Sequence, residues 1–183
     1  MQSHTLIRKD YYRIYGKWPG RFIFKEMMSP NFRYLYFFRK ASKYKKRSFL
    51  GIIYRLILYR YQVKYGFQIY PETDIGEGFY LGHWGTVIIN PEVKIGKNCN
   101  IATGVTIGRT NRGSKEGVPV IGDEVWIGTN AVIVGNIKIG NNVLIAPNAY
   151  VTTDVPDNSI VVGNIAHITQ NENATVGYIN NKI

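Results

Sequence analysis

A mainly β fold, wound as a solenoid of parallel strands with three short flat sides per coil and preceded by a short helical region, follows from three observations. An aliphatic residue recurs every six positions, a glycine often follows it, and the first third of the chain is basic, aromatic and outside that period. Period six fits neither a 3.6-residue helix nor simple strand alternation. It fits a coil in which each side contributes one six-residue unit and each coil buries its faces only against its neighbours.

The arm, residues 1–67, comes first. It carries 16 Lys and Arg against 2 Asp and Glu, a balance of +14, whereas residues 68–183 carry 7 against 10. Apolar residues at helical spacing around Phe32 to Phe38 and Ile52 to Tyr61 predict two or three short helices.

The body spans residues 68–168. The aliphatic position falls at Ile69, Ile75 and Leu81, at Ile89, Ile95, Ile101 and Ile107, then at Ile121, Ile127, Ile133, Ile139, Ile145 and Val151. A second small or aliphatic position runs in phase at Val125, Ala131, Ile137, Val143, Ala149 and Val155. Cys99 shares the inward phase of Val93 and Val105 and reads as core. Glycine after the aliphatic is expected to permit tight corners. Two breaks interrupt the period. Leu81 to Ile89 is two residues too long, and Ile107 to Ile121 is eight too long. Solenoids carry such insertions as loops on one face, often the binding face. The second insertion, residues 109–118, is polar and glycine-bearing and should protrude. Residues 169–183 form a polar C-terminal tail, expected to be loosely held.

Composition narrows the function classes. One cysteine allows no intrachain disulfide. The start of the chain does not read as a signal peptide, because Arg8, Lys9 and Asp10 interrupt any early apolar run. The longest apolar stretch, near residues 49–58, contains Arg55 and is too short to span a bilayer. A cytoplasmic protein is expected. The cationic arm suits an anionic surface. Its interleaved aromatics, Tyr34, Tyr36, Phe37 and Phe38 beside Arg33, Arg39 and Lys40, suit peripheral contact with the inner face of a membrane through residues 1–67 better than nucleic acid, with a solvated basic face that meets no partner as the plain alternative.

The chemistry centres on the first break, Tyr80-Leu81-Gly82-His83-Trp84-Gly85-Thr86. Of three histidines, at 4, 83 and 167, only His83 lies within the solenoid proper. An imidazole there can take a proton from an attacking hydroxyl; a surface histidine at a loop corner is the plain alternative. Backbone N–H groups at 108–110 can supply the donor that a developing oxyanion needs. Arg109, Arg112 and Lys115 can meet phosphates or an acidic acceptor, or stay solvated. Trp84 can stack on a sugar ring or pack at the corner. A zinc site built from three histidines is a poor fit to a solenoid that holds only His83, and no metal is expected.

The stretch from about 66 to 167 resembles the serine acetyltransferases and the related polysaccharide O-acetyltransferases of the hexapeptide-repeat superfamily. The family's base histidine falls on His83, its Val-Thr-Leu-Gly segment on Val105-Thr106-Ile107-Gly108, and its proline before the resumed repeat on Pro119. The resemblance implies a left-handed parallel β-helix of hexapeptide repeats, a homotrimer, and acetyl-CoA lying in grooves between neighbouring helices. Gly108 and Arg109, with the coil-corner residues Thr129 and Pro147, are the expected cofactor contacts, although Pro147 has no N–H to donate. Trp84 and Arg112 are the expected acceptor contacts.

Three departures shape the expected acceptor. Serine-specific members carry Asp before the base histidine and an Arg-His pair in the protruding loop; here those places hold Gly82, Gly117 and Val118. No acid of the arm matches the one that meets serine's ammonium; its only acids are Asp10 and Glu26. The end of the repeat, Gly163-Asn164-Ile165-Ala166-His167, lacks the family's Pro and Lys/Arg. A zwitterion needs counter-charges for both its groups, so the expectation is an acetyl-CoA-dependent O-acetyltransferase acting on a sugar hydroxyl of a surface polysaccharide or its precursor. Serine O-acetylation and N-acetylation of an amino sugar are the alternatives.

Overall fold

A computed structural model describes residues 2–20 and 25–183, the side chains of residues 2–4 excepted. Residues 1 and 21–24 of the arm therefore lie outside the described residues. Three helices open the chain: α1 (Gln2–Tyr15), α2 (Pro30–Lys43) and α3 (Phe49–Tyr65). Three of their boundaries have a local cause. Proline at the first position of α2 loses no helical hydrogen bond. The Ser48 side chain caps α3 by accepting from Gly51 N. Gly66, at φ +79°, ends α3 in the left-handed conformation.

Strands follow in a strict rotation: β1 (Phe67–Ile69), β2 (Asp74–Ile75), β3 (Tyr80–Leu81), β4 (Val87–Ile89), β5 (Lys94–Ile95), β6 (Asn100–Ile101), β7 (Thr106–Gly108), β8 (Val120–Ile121), β9 (Trp126–Ile127), β10 (Val132–Val134), β11 (Lys138–Ile139), β12 (Val143–Ile145), β13 (Tyr150–Val151), β14 (Ser159–Val162) and β15 (His167–Gln170). Every third strand joins the same sheet. The three sheets run β1-β4-β7-β10-β13, β2-β5-β8-β11 and β3-β6-β9-β12-β14-β15, all parallel except the last pair. This is a left-handed parallel β-helix of about five coils.

Register reproduces the sequence arithmetic. Ile88 pairs with Thr106, three six-residue units on. Phe67 pairs with Val87, two residues further, across the first break. Lys94 pairs with Val120, eight residues further, across the second. Both insertions leave the stack as loops without disturbing it. The two aliphatic columns are buried along the whole axis, with Cys99 among them. Burial pushes the Cys99 thiol up to about 12, where it is neither nucleophile nor ligand.

The glycines do a different job from the one expected. Left-handed backbone falls three residues after the core aliphatic, at Gly78, Asn98, Gly104, Glu124, Asn130, Asn142 and Asn148. Asparagine tolerates that region, so it makes most of the corners. The glycine directly after the aliphatic serves close approach. A Cβ on Gly96 would lie 2.5 Å from the Gly122 carbonyl oxygen of the next coil.

The helices close the base of the solenoid. Tyr34, Leu35, Phe38 and Leu58 continue its core, and Tyr34 Oη donates to the Ile69 carbonyl at 2.8 Å. Asp10 and Arg39 form a buried pair beneath the first coil. Arg39 donates to both Asp10 oxygens and to the carbonyls of Ile75 and Gly76, while Phe79 N donates to Asp10.

The tail is docked, contrary to expectation. After β15 it turns back along the sheet that holds β3, β6, β9 and β12. Ala174, Thr175 and Ile179 are buried. Thr175 Oγ1 donates to Asn142, Asn100 Nδ2 donates to the Tyr178 carbonyl, and Asn98 Nδ2 donates to the Ile183 carbonyl. Enough apolar and hydrogen-bonding groups sit in this mostly polar segment to hold it down.

Candidate active site

His83 stands in the first break, between β3 and β4, with an exposed side chain. Its backbone is held from both sides. Asn31, at the start of α2, donates its amide to the carbonyls of Leu81 and Gly82, both at 3.0 Å. Gly85 N donates to the Tyr65 carbonyl, and Gly85 takes φ +139°. A Cβ there would fall 2.3 Å from Thr103 Oγ1, so the turn after His83 requires glycine.

His83 opens on a cavity of about 440 Å³. Three parts of the chain wall it: Arg13 from the last turn of α1; Tyr80, Asn100 and Trp126 from one face of the solenoid; Tyr178 and its neighbours from the tail. Thr129 lines it too, so two of the expected site residues share one space. No Asp or Glu is among its lining residues.

The other expected residues stand apart from that cavity. Trp84 is 63% exposed and does not line it. Gly108 ends β7, and the next corner is committed elsewhere, since Thr110 N donates to the Gly117 carbonyl. Arg109 is engaged by Glu92 at 2.7 Å and approaches Glu116 at 4.0 Å. Arg112 is exposed in the loop, and Lys115 meets Asp154. Pro147 is exposed at a coil corner, packed over Gly128. Trp126 packs on Tyr178 of its own tail with ring centroids 4.7 Å apart. The two acids of the arm are occupied structurally: Asp10 by Arg39, and Glu26 by the Tyr11 hydroxyl.

Two residues were missed in the sequence. Asn31 holds the backbone just before His83, and Arg13 brings a buried cation to the cavity. Arg13 is 4% exposed and donates from Nη2 to Asn100 Oδ1 at 2.6 Å. Burial lowers its pKa from the ordinary arginine value. Neither carries a distinguishing local signal, because both are polar residues in helices that hold other polar and charged residues.

Comparison with known proteins fits this geometry. Residues 119–153 match the family model of the bacterial transferase hexapeptide (six repeats). Repeat and fold together define the class that the chain resembles, the hexapeptide-repeat superfamily. Within it, the chain is similar to serine acetyltransferases. It is 39% identical over 112 residues to that of Staphylococcus aureus (strain Mu50 / ATCC 700699), covering 61% of this chain and 53% of the relative. The chain thus spans about half the length of that relative. A crystal structure of Neisseria gonorrhoeae serine acetyltransferase in complex with serine has TM-score 0.74 at 29% identity, covering 92% of this chain and 69% of that one. The Brucella abortus strain S19 enzyme in complex with coenzyme A has TM-score 0.74 at 26% identity, covering 92% and 68%.

These findings overturn the expected sugar acceptor and the assignment to polysaccharide synthesis. The physical reason is in the site. Loss of charge at Gly82, Gly117 and Val118 does not leave the cavity uncharged, because Arg13 enters it from α1. Gly117 itself has φ +134° and lies against Asn136, so a side chain there would be strained.

Proposed function

We propose that this chain is an acetyl-CoA-dependent O-acetyltransferase that acetylates the hydroxyl of serine, with His83 as general base. The supporting observation is the exposed His83 imidazole opening on a walled cavity, on a fold shared with a serine acetyltransferase that holds serine. His83 takes the hydroxyl proton as the serine oxygen attacks the thioester carbonyl carbon. The C–O bond forms, the oxyanion collapses, the C–S bond breaks, and His83 returns the proton to the departing CoA sulfur.

The same reading includes a homotrimer in the cytoplasm, with acetyl-CoA in the grooves between solenoids along Gly108, Arg109, Thr129 and Pro147. Exposure of Arg109 and Pro147 on the outer surface supports it, and Arg109 would exchange Glu92 for a CoA phosphate. It also includes peripheral contact of the arm with an anionic membrane. Phe49, Ile52, Leu56, Tyr59 and Val63 form an exposed apolar stripe at helical spacing on α3, next to exposed Lys45, Lys46 and Arg47.

The test supplies the purified protein with acetyl-CoA and serine and follows thiol release and O-acetylserine by mass. Serine-dependent release is expected, falling about 10²–10⁴-fold in His83→Ala with unchanged melting temperature. No serine-dependent release, or full turnover by His83→Ala, overturns the reading.

A further inference from the structure

Among the described residues, two arginines of the arm are almost fully buried, and they differ in one respect. Arg39 is saturated, with a carboxylate on one side and two carbonyls on the other. Arg13 forms no ion pair with the described residues. Its Nη2 donates to the neutral Asn100 side chain, its guanidinium carbon lies 5.9 Å from the Tyr80 ring centroid, and its buried Nε has no hydrogen-bond partner among the described residues. Glu124 attracts it from a distance, but that carboxylate is taken by Lys182. Guanidinium stays charged even when buried. A buried charge is costly unless something pairs with it, and Arg13 lines the cavity that His83 also lines.

We infer that Arg13 is the carboxylate-binding residue of the acceptor site, holding the α-carboxylate of a hydroxy acid while the hydroxyl faces His83. This rests on the serine reading and deepens it. The planar guanidinium fork matches a carboxylate with two parallel hydrogen bonds. Asn100 fixes the fork by accepting from Nη2 and is itself anchored by donating to the Tyr178 carbonyl. The pocket offers a cation and no carboxylate, so it grips one end of serine and not the other. Recognition therefore runs through the carboxylate, and the ammonium contributes little.

The experiment compares L-serine, L-serinamide and 3-hydroxypropionate as acceptors for the wild type, Arg13→Met and Arg13→Lys, with the KM of acetyl-CoA measured alongside. For the wild type, serinamide should fall about 30-fold or more below serine in kcat/KM, the loss expected for a charge-assisted hydrogen-bonded pair, and 3-hydroxypropionate should stay within about tenfold of serine. Arg13→Met should lose serine turnover about 30-fold through KM, keep serinamide turnover and leave the KM of acetyl-CoA unchanged. Arg13→Lys should recover part of the loss.

Equal use of serine and serinamide by the wild type overturns the inference while leaving the serine reading intact. So does a loss in Arg13→Met that falls equally on both acceptors, the sign of a purely structural role. Absence of any serine turnover by the wild type overturns the serine reading itself, and the inference with it. Should Arg13→Met not fold, the wild-type acceptor series and Arg13→Lys still decide.

Discussion

The solenoid and the arm that closes its base solve the same problem by opposite means. The solenoid buries repeated aliphatic side chains and leaves its charges outside; its interior columns contain no ionisable group except the Cys99 thiol. The arm buries Asp10, Arg13 and Arg39 within a short span of chain. A stack of coils needs only more of the same residue to grow. A cap must fit one end, once, and specific polar pairs fix its orientation where a greasy face alone would slide. Among the described residues, Arg13 alone of these three is left without a counter-charge, and it lines the cavity together with the candidate base.

Removing one half of a pair should show the contrast most sharply. Asp10→Asn leaves Arg39 buried beside a neutral partner, and denaturant unfolding should report a loss of about 3–5 kcal/mol. Replacing both, Asp10→Leu with Arg39→Met, should recover much of that loss. Failure to recover would mean that the carbonyl contacts of Arg39 matter more than its ion pair. The solenoid has its own test at Gly96, which carries no charge. Gly96→Ala should cost about 1–3 kcal/mol by forcing adjacent coils apart, read as a lower melting temperature; an unchanged one would show that the coils flex to admit a methyl group. The smallest effect on folding belongs to the outer face of α3. Leu56 is 65% exposed, so Leu56→Glu should move stability by no more than about 0.5 kcal/mol. It should nevertheless reduce co-sedimentation with vesicles rich in phosphatidylserine, and unaltered co-sedimentation would remove the membrane from the reading of the arm.

What the sequence disclosed follows the same division. The coils were legible because one residue type recurs at a fixed interval, and both insertions could be counted before any strand was seen. His83 was legible because it breaks the count. Corner geometry was misplaced: glycine is conspicuous after each aliphatic, but the left-handed turns fall two residues later and use asparagine. Arg13 was not legible at all. Its partner Asn100 is 87 positions away, and nothing in α1 announces which face meets the solenoid. The acceptor was misread for the same reason. Counter-charge was sought at 82, 117 and 118, places fixed by local alignment, whereas the cavity draws its cation from a helix folded in from the far end of the chain.

The returning tail alters how the body must come apart. Stacked coils with contacts only between neighbours can fray from an end, each coil leaving at its own free energy. Here residues 171–183 touch Asn142, Trp126, Asn100 and Asn98 in turn, crossing three successive coils against the direction of winding. They act as a strut along the outside of the stack. Peeling the last coil first means lifting β15 and the strut with it, which uncovers the middle coils and opens the cavity wall at Tyr178. The upper coils are thereby tied to the lower ones, and the solenoid gains the cooperativity that a repeat built only on neighbours lacks.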